Sequence, residues 1–341
     1  MARKDEYRVI VVGIGMVGAE MVRVLRGRNF PAKEVKILAR RPRTESIDGQ
    51  DYKVVSADSK EFAGYDLAFF AGTEGAKGAS VTYGWEAVKQ GLVVIDNGKD
   101  FRMDPRVPLV VPEVNPDALN DYQGLIANPN CSTIQMVMAL APIHRVAKVK
   151  RIVVSTYQAV SGTGGPAVRE LEDQMIAWVK GEPLKAREYP VQIAFNVIPQ
   201  IASLKDEFPG YYEEEIKMVI EARKIMGEPD LAVSATCVRV PVFKGHAEAI
   251  NIQTERKISL DEVREILEAA PGVKVVDDAG EGIWPYPLMA AEKDEVFVGR
   301  IREDTSAQNA IDLFCVSDNI RKGGALNAVQ IAEKMLEMDL L

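Results

Sequence analysis

Residues 8 to 130 alternate short apolar runs with segments of helical periodicity. Arg8 to Val12 (RVIVV) reads as a buried strand, and Gly18 to Leu25 as the helix after it. Val35 to Leu38, Leu67 to Ala71 and Leu92 to Asp96 repeat the strand signal. Strands that alternate with helices predict a parallel sheet covered on both faces.

The texture changes after about residue 148, where the strand-like runs become longer and more amphipathic. Ile152 to Tyr157, Ala232 to Val242, Ala249 to Thr254, Glu295 to Ile301 and Ile311 to Val316 read as strands. Helical patterns lie between them at 167–180, 212–226 and 260–269. Ser259 and Glu262 stand at capping-box spacing at the start of the third. This pattern predicts a mixed, largely antiparallel sheet with helices on one face. The last segment, Gly323 to Leu336, reads as a helix able to pack back on the first domain. No internal repeat or low-complexity stretch interrupts the chain.

The fold expected is therefore α/β: an N-terminal Rossmann-type domain with a parallel sheet, then an α+β domain. The boundaries are set at 1–131, completed by a C-terminal helix at 319–341, and at 132–318. A length of 341 residues accommodates about two such domains.

Composition narrows the function. A net charge of -8 argues against a nucleic-acid partner, and it means that an anionic substrate must be held by local Arg and Lys groups. The charged start, Met1 to Arg8, has no signal-peptide pattern, and no later stretch has the length to cross a bilayer. Three widely spaced cysteines make no disulfide framework and suit a reducing cytoplasm. No metal site is assigned.

Gly13-Ile14-Gly15-Met16-Val17-Gly18 follows the first strand and opens a helix. In that context bare glycines let the backbone approach a pyrophosphate, and the helix N-terminus supplies positive potential. A tight turn that binds nothing would carry the same glycines. An NAD enzyme usually places Asp or Glu about 20 residues further on to grip the ribose 2′-hydroxyl. Here Leu38-Ala39-Arg40-Arg41-Pro42-Arg43 has three guanidinium groups and no acid, which suits the 2′-phosphate of NADP. A solvated basic turn is the other reading.

Asn128-Pro129-Asn130-Cys131-Ser132-Thr133 precedes an apolar helical run, Ile134 to Leu140. A cysteine at a helix N-terminus gains thiolate character, and the thiolate is the nucleophile. Cys237 and Cys315 lie inside apolar strand patterns and read as inert. Arg239-Val240-Pro241-Val242-Phe243-Lys244-Gly245-His246 puts an arginine on a strand and a histidine just past a Lys-Gly turn. At such a loop edge His246 is expected to be accessible, as a proton shuttle must be. His144, the other of two histidines, sits near a helix end, where capping is the expected role. Tyr157 to Gly165 closes a strand with an amide and a glycine-rich loop that lines an anion site or turns the chain.

Taken together, seven blocks in order carry a resemblance: DNGKDFRMDPRVPLVVPEVN (96–115), IANPNCSTIQ (126–135), STYQAVSGTGG (155–165), IAFNVIPQI (193–201), EEIKM (214–218), RVPVFKGHAE (239–248) and SDNIRKGGALNAVQIAE (317–333). The chain resembles the aspartate-β-semialdehyde dehydrogenase family almost from end to end. The resemblance implies reductive dephosphorylation of aspartyl β-phosphate to the semialdehyde with NADPH, in lysine, threonine and methionine biosynthesis. It makes the second domain catalytic and dimerising, and implies a homodimer or homotetramer. Cys131 is implied as the nucleophile that forms a thioester, His246 as general acid-base, and Gln158 as the group that orients the acyl intermediate. Arg239 is implied for the substrate α-carboxylate, Glu214 for its α-amino group, and Arg102, Asn130 and Lys217 for the phosphate. Glu214 and Lys217 stand three apart on a predicted helix and share a face, where a solvated ion pair is the alternative. On the cofactor side the expected residues are Gly13, Gly15, Met16, Val17, Gly18, Arg40 and Arg41 from the loop and the basic stretch, with Ser161 and Gly162, and Asn327, which matches a family position near the nicotinamide. For Asn327 the alternative is a polar residue on an amphipathic helix.

The departures from the family pattern fall on the cofactor side. The glycine loop is one residue shorter than usual. Residues 72–80 lack the family's Gly-Gly-Ser serine, and the Arg40 segment lacks its Ser-Arg-Ser arrangement. The competing readings are N-acetyl-γ-glutamyl-phosphate reductase, whose cysteine typically follows Pro-Gly, and a non-catalytic nucleotide-binding homologue.

Overall fold

A computed structural model describes residues 4–72 and 75–341. Thr73 and Glu74, part of the stretch compared above with the Gly-Gly-Ser pattern, lie outside the described residues. The chain divides into two compact units, Met1–Pro129 with Gly324–Leu341, and Asn130–Gly323.

The first unit is built on strands β1 (Tyr7–Val12), β2 (Ala32–Ala39), β3 (Arg43–Ile47), β4 (Gln50–Ser56), β5 (Leu67–Phe70), β6 (Val93–Asp96) and β7 (Leu125–Ala127), with helices α1 (Met16–Gly27) and α2 (Ala79–Lys89). Among the described residues these seven strands form one sheet in the order β3-β4-β2-β1-β5-β6-β7, parallel except for the β3–β4 pair. Its middle strands are covered on both faces, which is why RVIVV, LAFF and VVID run apolar without alternation. The chain moves outward from β1 through β2 to the hairpin, then returns to the other side of β1 as β5. The strand order reverses there, and ligands of such sheets bind at the carboxyl ends of the strands beside that switch.

The glycine loop lies at that point. Gly13 has φ +98°, and a side chain on it would strike the Ala71 carbonyl that follows β5. A Cβ on Gly18 would lie 2.0 Å from the Gly13 carbonyl oxygen, so the helix can approach the strand only without one. Gly15 has nothing within 4 Å of the Cβ it lacks.

The second unit begins with α3 (Cys131–Ala147), followed by β8 (Val149–Gln158), α4 (Gly165–Val179), α5 (Glu213–Met226), β9 (Ala232–Arg239), β10 (His246–Thr254), α6 (Leu260–Glu268), β11 (Val273–Val275), α7 (Pro287–Ala290), β12 (Val296–Glu303) and β13 (Ala310–Ser317). Its strands form a mixed, mostly antiparallel sheet in the order β11-β12-β13-β10-β8-β9. Along β8 the buried Ile152, Val154 and Thr156 alternate with the more open Val153, Ser155 and Tyr157. Helices α3, α5 and α6 pack on this sheet. The alternation that marked these strands in the sequence is thus the signature of a sheet with two unlike faces.

Helix α8 (Leu326–Glu337) belongs to the first unit and packs on α1. A π-turn at Arg321–Ala325 precedes it. Among the described residues no helix is long and apolar enough to cross a membrane.

The structure adds to the sequence reading in one place and corrects it in another. After β2, Arg40 and Arg41 turn the chain, and Arg43 already opens the β3–β4 hairpin, which the sequence reading did not include. The run expected as a strand over Ala232 to Val242 leaves the sheet after Arg239, because Pro241 has no N–H to give a ladder.

Gly18→Ala is expected to destabilise the protein by about 1–3 kcal/mol, since helix or strand must give way. Gly15→Ala is expected to change stability by no more than about 0.5 kcal/mol. Urea unfolding of the two variants checks this, and equal effects would contradict the packing described for Gly18.

Candidate active site

Helix α3 starts at Cys131, which is half-buried. The residue before it, Asn130, is the N-cap: its side-chain oxygen accepts the N–H groups of Ser132 (3.0 Å) and Thr133 (3.3 Å). The cap is itself held from outside the helix. The Asn130 backbone N–H donates to Glu221 at 2.7 Å and its amide donates to Glu214 at 2.8 Å. The nucleophile expected from the sequence therefore occupies the first turn, at the positive end of a helix whose entry angle α5 controls.

Helix α5 carries both carboxylates into buried surroundings. Glu214, Met218, Glu221 and Ile225 follow each other at helical spacing on its buried side. Glu214 is the hub: one oxygen accepts the Asn130 and Gln158 amides (2.8 and 3.0 Å), the other the Lys217 ammonium (3.2 Å). Burial works against its charge. Lys217, the two amides and Arg239 outweigh that and hold the carboxyl down at about 2. The Glu214–Lys217 pair is accordingly no solvated surface contact, with the two side chains only 7% and 15% exposed. Gln158 is buried, and its own oxygen accepts the Thr156 hydroxyl at 3.2 Å. Its amide is thereby fixed in one orientation.

Arg239, His246 and Gly162 meet around Ala159. The Ala159 carbonyl accepts Arg239 Nη1 at 2.7 Å, and the Ala159 N–H donates to His246 Nδ1 at 3.0 Å. A Cβ on Gly162 would fall 2.8 Å from Arg239 Nη1 and 3.0 Å from His246 Nε2, so only a glycine lets the backbone pack this closely against both side chains. Arg239 Nε and His246 Nε2 are buried with no hydrogen-bond partner. Burial first, and then the Arg239 charge, lower the imidazole to about 3, against an opposing pull from Glu214.

Here the sequence expectation fails in one respect. His246 is not an accessible loop-edge residue but fully buried, because β10 begins at His246 itself, paired with Ser317. Ser161, expected on the cofactor side, is buried with its hydroxyl bonded to Asn319, whose side-chain oxygen also accepts the Gly245 N–H at 3.0 Å.

The second unit thus brings Asn130, Cys131, Gln158, Glu214, Lys217, Arg239, His246 and Gly162 into one neighbourhood. Ser161 lies in the second unit as well, and the other expected residues belong to the first. Gly15 caps α1 without a side-chain hydrogen bond, Met16 and Val17 form its first turn, and that turn holds no acid. The Gly13 N–H donates to the Leu38 carbonyl at 2.7 Å, which puts the loop beside the end of β2 where Arg40 and Arg41 stand exposed. An uncapped helix start, an open glycine and neighbouring guanidinium groups fit the phosphates of a dinucleotide. Arg102 is buried and donates to the Asn128 and Asn97 carbonyls (3.0 and 3.1 Å). Asn327 is no exposed polar residue of an amphipathic helix. It is fully buried and donates to the Val110 carbonyl (3.0 Å) and the Asn128 side chain (2.7 Å).

Cys237 and Cys315 are sealed in the sheet, and burial pushes both thiols up. His144 accepts the Val149 N–H just beyond α3 at 3.2 Å. The sequence reading missed Glu221, Thr156, Ala159 and Asn319. Glu221 had a visible signal, a carboxylate at a stripe position seven residues after Glu214. Ala159 had none, since its backbone is what it contributes.

Residues 8–122 match the family described as semialdehyde dehydrogenase, NAD binding domain, and residues 140–322 the one described as semialdehyde dehydrogenase, dimerisation domain. The chain is 48% identical to an aspartate-semialdehyde dehydrogenase of Aquifex aeolicus, over 98% of this chain and 99% of that protein. It is 44% identical to one of Bacillus subtilis, over 98% of each. A crystal structure of aspartate semialdehyde dehydrogenase II from Vibrio cholerae, complexed with ASA, superposes with a TM-score of 0.92 at 41% identity, covering 98% of this chain and 99% of that one.

The charge on Glu214 generates a pH prediction. Its carboxyl is held below the ordinary value, so its contribution to stability is full above about pH 4.3 and is lost as pH falls toward about 2. Glu214→Gln is expected to cost about 2–3 kcal/mol at neutral pH, and that cost should shrink through this window. Denaturant unfolding of both proteins across it provides the measurement; a constant difference would show that Glu214 is not held ionised by these contacts.

Proposed function

The chain belongs to the aspartate-semialdehyde dehydrogenase family, and on that premise we propose that it reduces L-aspartyl 4-phosphate to L-aspartate 4-semialdehyde through a thioester on Cys131. The observation that carries this reading is the capped start of α3. It holds the Cys131 thiol at a helix N-terminus, tied through Asn130 to Glu214 and so to Gln158 and Lys217.

In this reaction the Cys131 sulfur bonds to the acyl carbon. The bond from that carbon to the phosphate oxygen breaks, and phosphate leaves with the bonding pair. The thiol proton passes to solvent, because the helix N-terminus stabilises the thiolate before attack. Arg239 receives the substrate α-carboxylate, for which a planar fork is suited. Glu214 has three donors on four acceptor sites, which leaves capacity for the substrate ammonium. This carboxylate favours a substrate with a free amine over an N-acetylated one, and so weighs against N-acetyl-γ-glutamyl phosphate. Asn130 and Lys217 hold the phosphate, Gln158 orients the acyl group, and His246 serves the acyl oxygen.

Gly13, Gly15, Gly18 and the first turn of α1 would hold a nicotinamide cofactor, which when bound would supply the hydride that reduces the thioester to the aldehyde. Arg40 and Arg41 at the end of β2 favour NADP over NAD by pairing with a 2′-phosphate. Residues 1–131 with 319–341 serve as the cofactor domain and 132–318 as the catalytic and dimerisation domain. The protein works in the cytoplasm as a homodimer or homotetramer, in the biosynthesis of lysine, threonine and methionine.

Cys131→Ser is expected to abolish phosphate-dependent reduction of NADP by aspartate semialdehyde, while urea stability stays within about 0.5 kcal/mol of the parent. Undiminished turnover would remove the thioester. Replacing Arg40 and Arg41 together by Ala is expected to raise KM for NADP about tenfold or more with little change for NAD, the value of one charge-assisted contact. Equal effects on both cofactors would return these residues to the status of a solvated turn.

A further inference from the structure

His246 has a feature that a general acid-base role would not use. The ring is fully buried, and its Nδ1 faces the backbone N–H of Ala159 at 3.0 Å. A peptide N–H only donates. Nδ1 must therefore present its lone pair, and a neutral ring then carries its proton on Nε2. Protonating the ring would set an Nδ1–H against the Ala159 N–H, donor against donor. Moving the proton to Nδ1 would do the same. Nε2 meanwhile is buried without a partner, packed beside Gly162. A buried donor kept without a partner costs stability, and such groups recur where a ligand completes them.

We propose that the Ala159 amide locks His246 in the neutral tautomer with its proton on Nε2, so that His246 is a hydrogen-bond donor to the acyl oxygen and not the base that deprotonates Cys131. The idea rests on the reaction proposed above, in which negative charge grows on that oxygen during thioester formation and reduction. A fixed N–H dipole that is not itself ionised stabilises such charge without reorganising. Neutral imidazole serves in this way when its surroundings keep it from protonating. The charged groups that face the ring are Arg239 on β9, which disfavours a second positive charge, and Glu214 on α5, which favours one. Glu248, two residues along β10, is a weak source of counter-charge, because burial pushes its carboxyl well above the ordinary range. The same peptide unit that orients the ring orients Arg239 through its carbonyl, at 2.7 Å. Ala159 is thus a positioning residue for both groups.

With two histidines in the chain, His144→Gln leaves His246 as the sole imidazole for nitrogen-15 spectroscopy of the free protein. The expected spectrum has a pyridine-type Nδ1 and a pyrrole-type Nε2, unchanged between about pH 5 and about pH 8. If this variant does not fold, the parent gives the same two-histidine spectrum, read against His246→Gln. An Nδ1–H signature, or an imidazolium that titrates within that range, would overturn the proposal. This readout needs no substrate, so it stands apart from whether the proposed reaction is right. Kinetics supply the second arm: glutamine offers an N–H donor but cannot accept a proton. His246→Gln should retain at least about tenfold more turnover than His246→Ala, a share of what one oxyanion donor contributes. Equal loss in both would return His246 to acid-base duty.

Discussion

The site hangs on the side chain of Asn130. Its oxygen closes the first turn of α3, its amide reaches Glu214, and its backbone N–H reaches Glu221. A helix start that is only locally capped can fray or shift. One that is also bonded to two buried carboxylates on another helix has a fixed position and direction. Because Cys131 is the next residue, the place of its sulfur follows from that double attachment. The cost is two carboxylates out of water, offset at Glu214 by three donors and at Glu221 by the Asn130 N–H.

Charge is arranged in the opposite sense to that of the molecule as a whole. The chain carries -8, yet Lys217 and Arg239 gather where an anionic substrate is proposed to bind. Glu214 keeps these cations in place without cancelling their use, since Lys217 remains half-buried and Arg239 keeps an unpartnered Nε. Neutral groups complete the neighbourhood. Gln158 is held by Thr156 and Glu214, and His246 by a peptide amide, so neither must turn when a ligand arrives. Preorganisation of this kind places the energetic expense in folding, before the chemistry begins.

Much of this was legible in the residues. The unbroken apolar runs of the first half and the alternating runs of the second each announce a sheet type. The rule that links them is local: side-chain direction repeats every two residues along a strand. The start of α3 near Cys131 was expected from the apolar helical run after it, while the cap at Asn130 came only with the structure. The β3–β4 hairpin was not legible, since RTESI and QDYKVVS carry too little apolar pattern for an edge pair. His246 was misjudged for a related reason. A neighbouring glycine suggests a loop edge, and only the pairing of β10 with β13 shows that the strand has already begun and is covered.

By itself, then, the amino-acid order determined what depends on near neighbours: two sheet types, a glycine turn opening a helix, a cysteine in a first turn, and seven blocks that point to one family. The tertiary structure alone decided what depends on residues far apart. Asn130 and Glu214 are separated by 84 positions, and Ala159 and His246 by 87. Whether Glu214 stays ionised, and which nitrogen of His246 holds the proton, are set by groups brought from those distances into a medium without water. No local pattern encodes that medium, so no local reading could supply the answer.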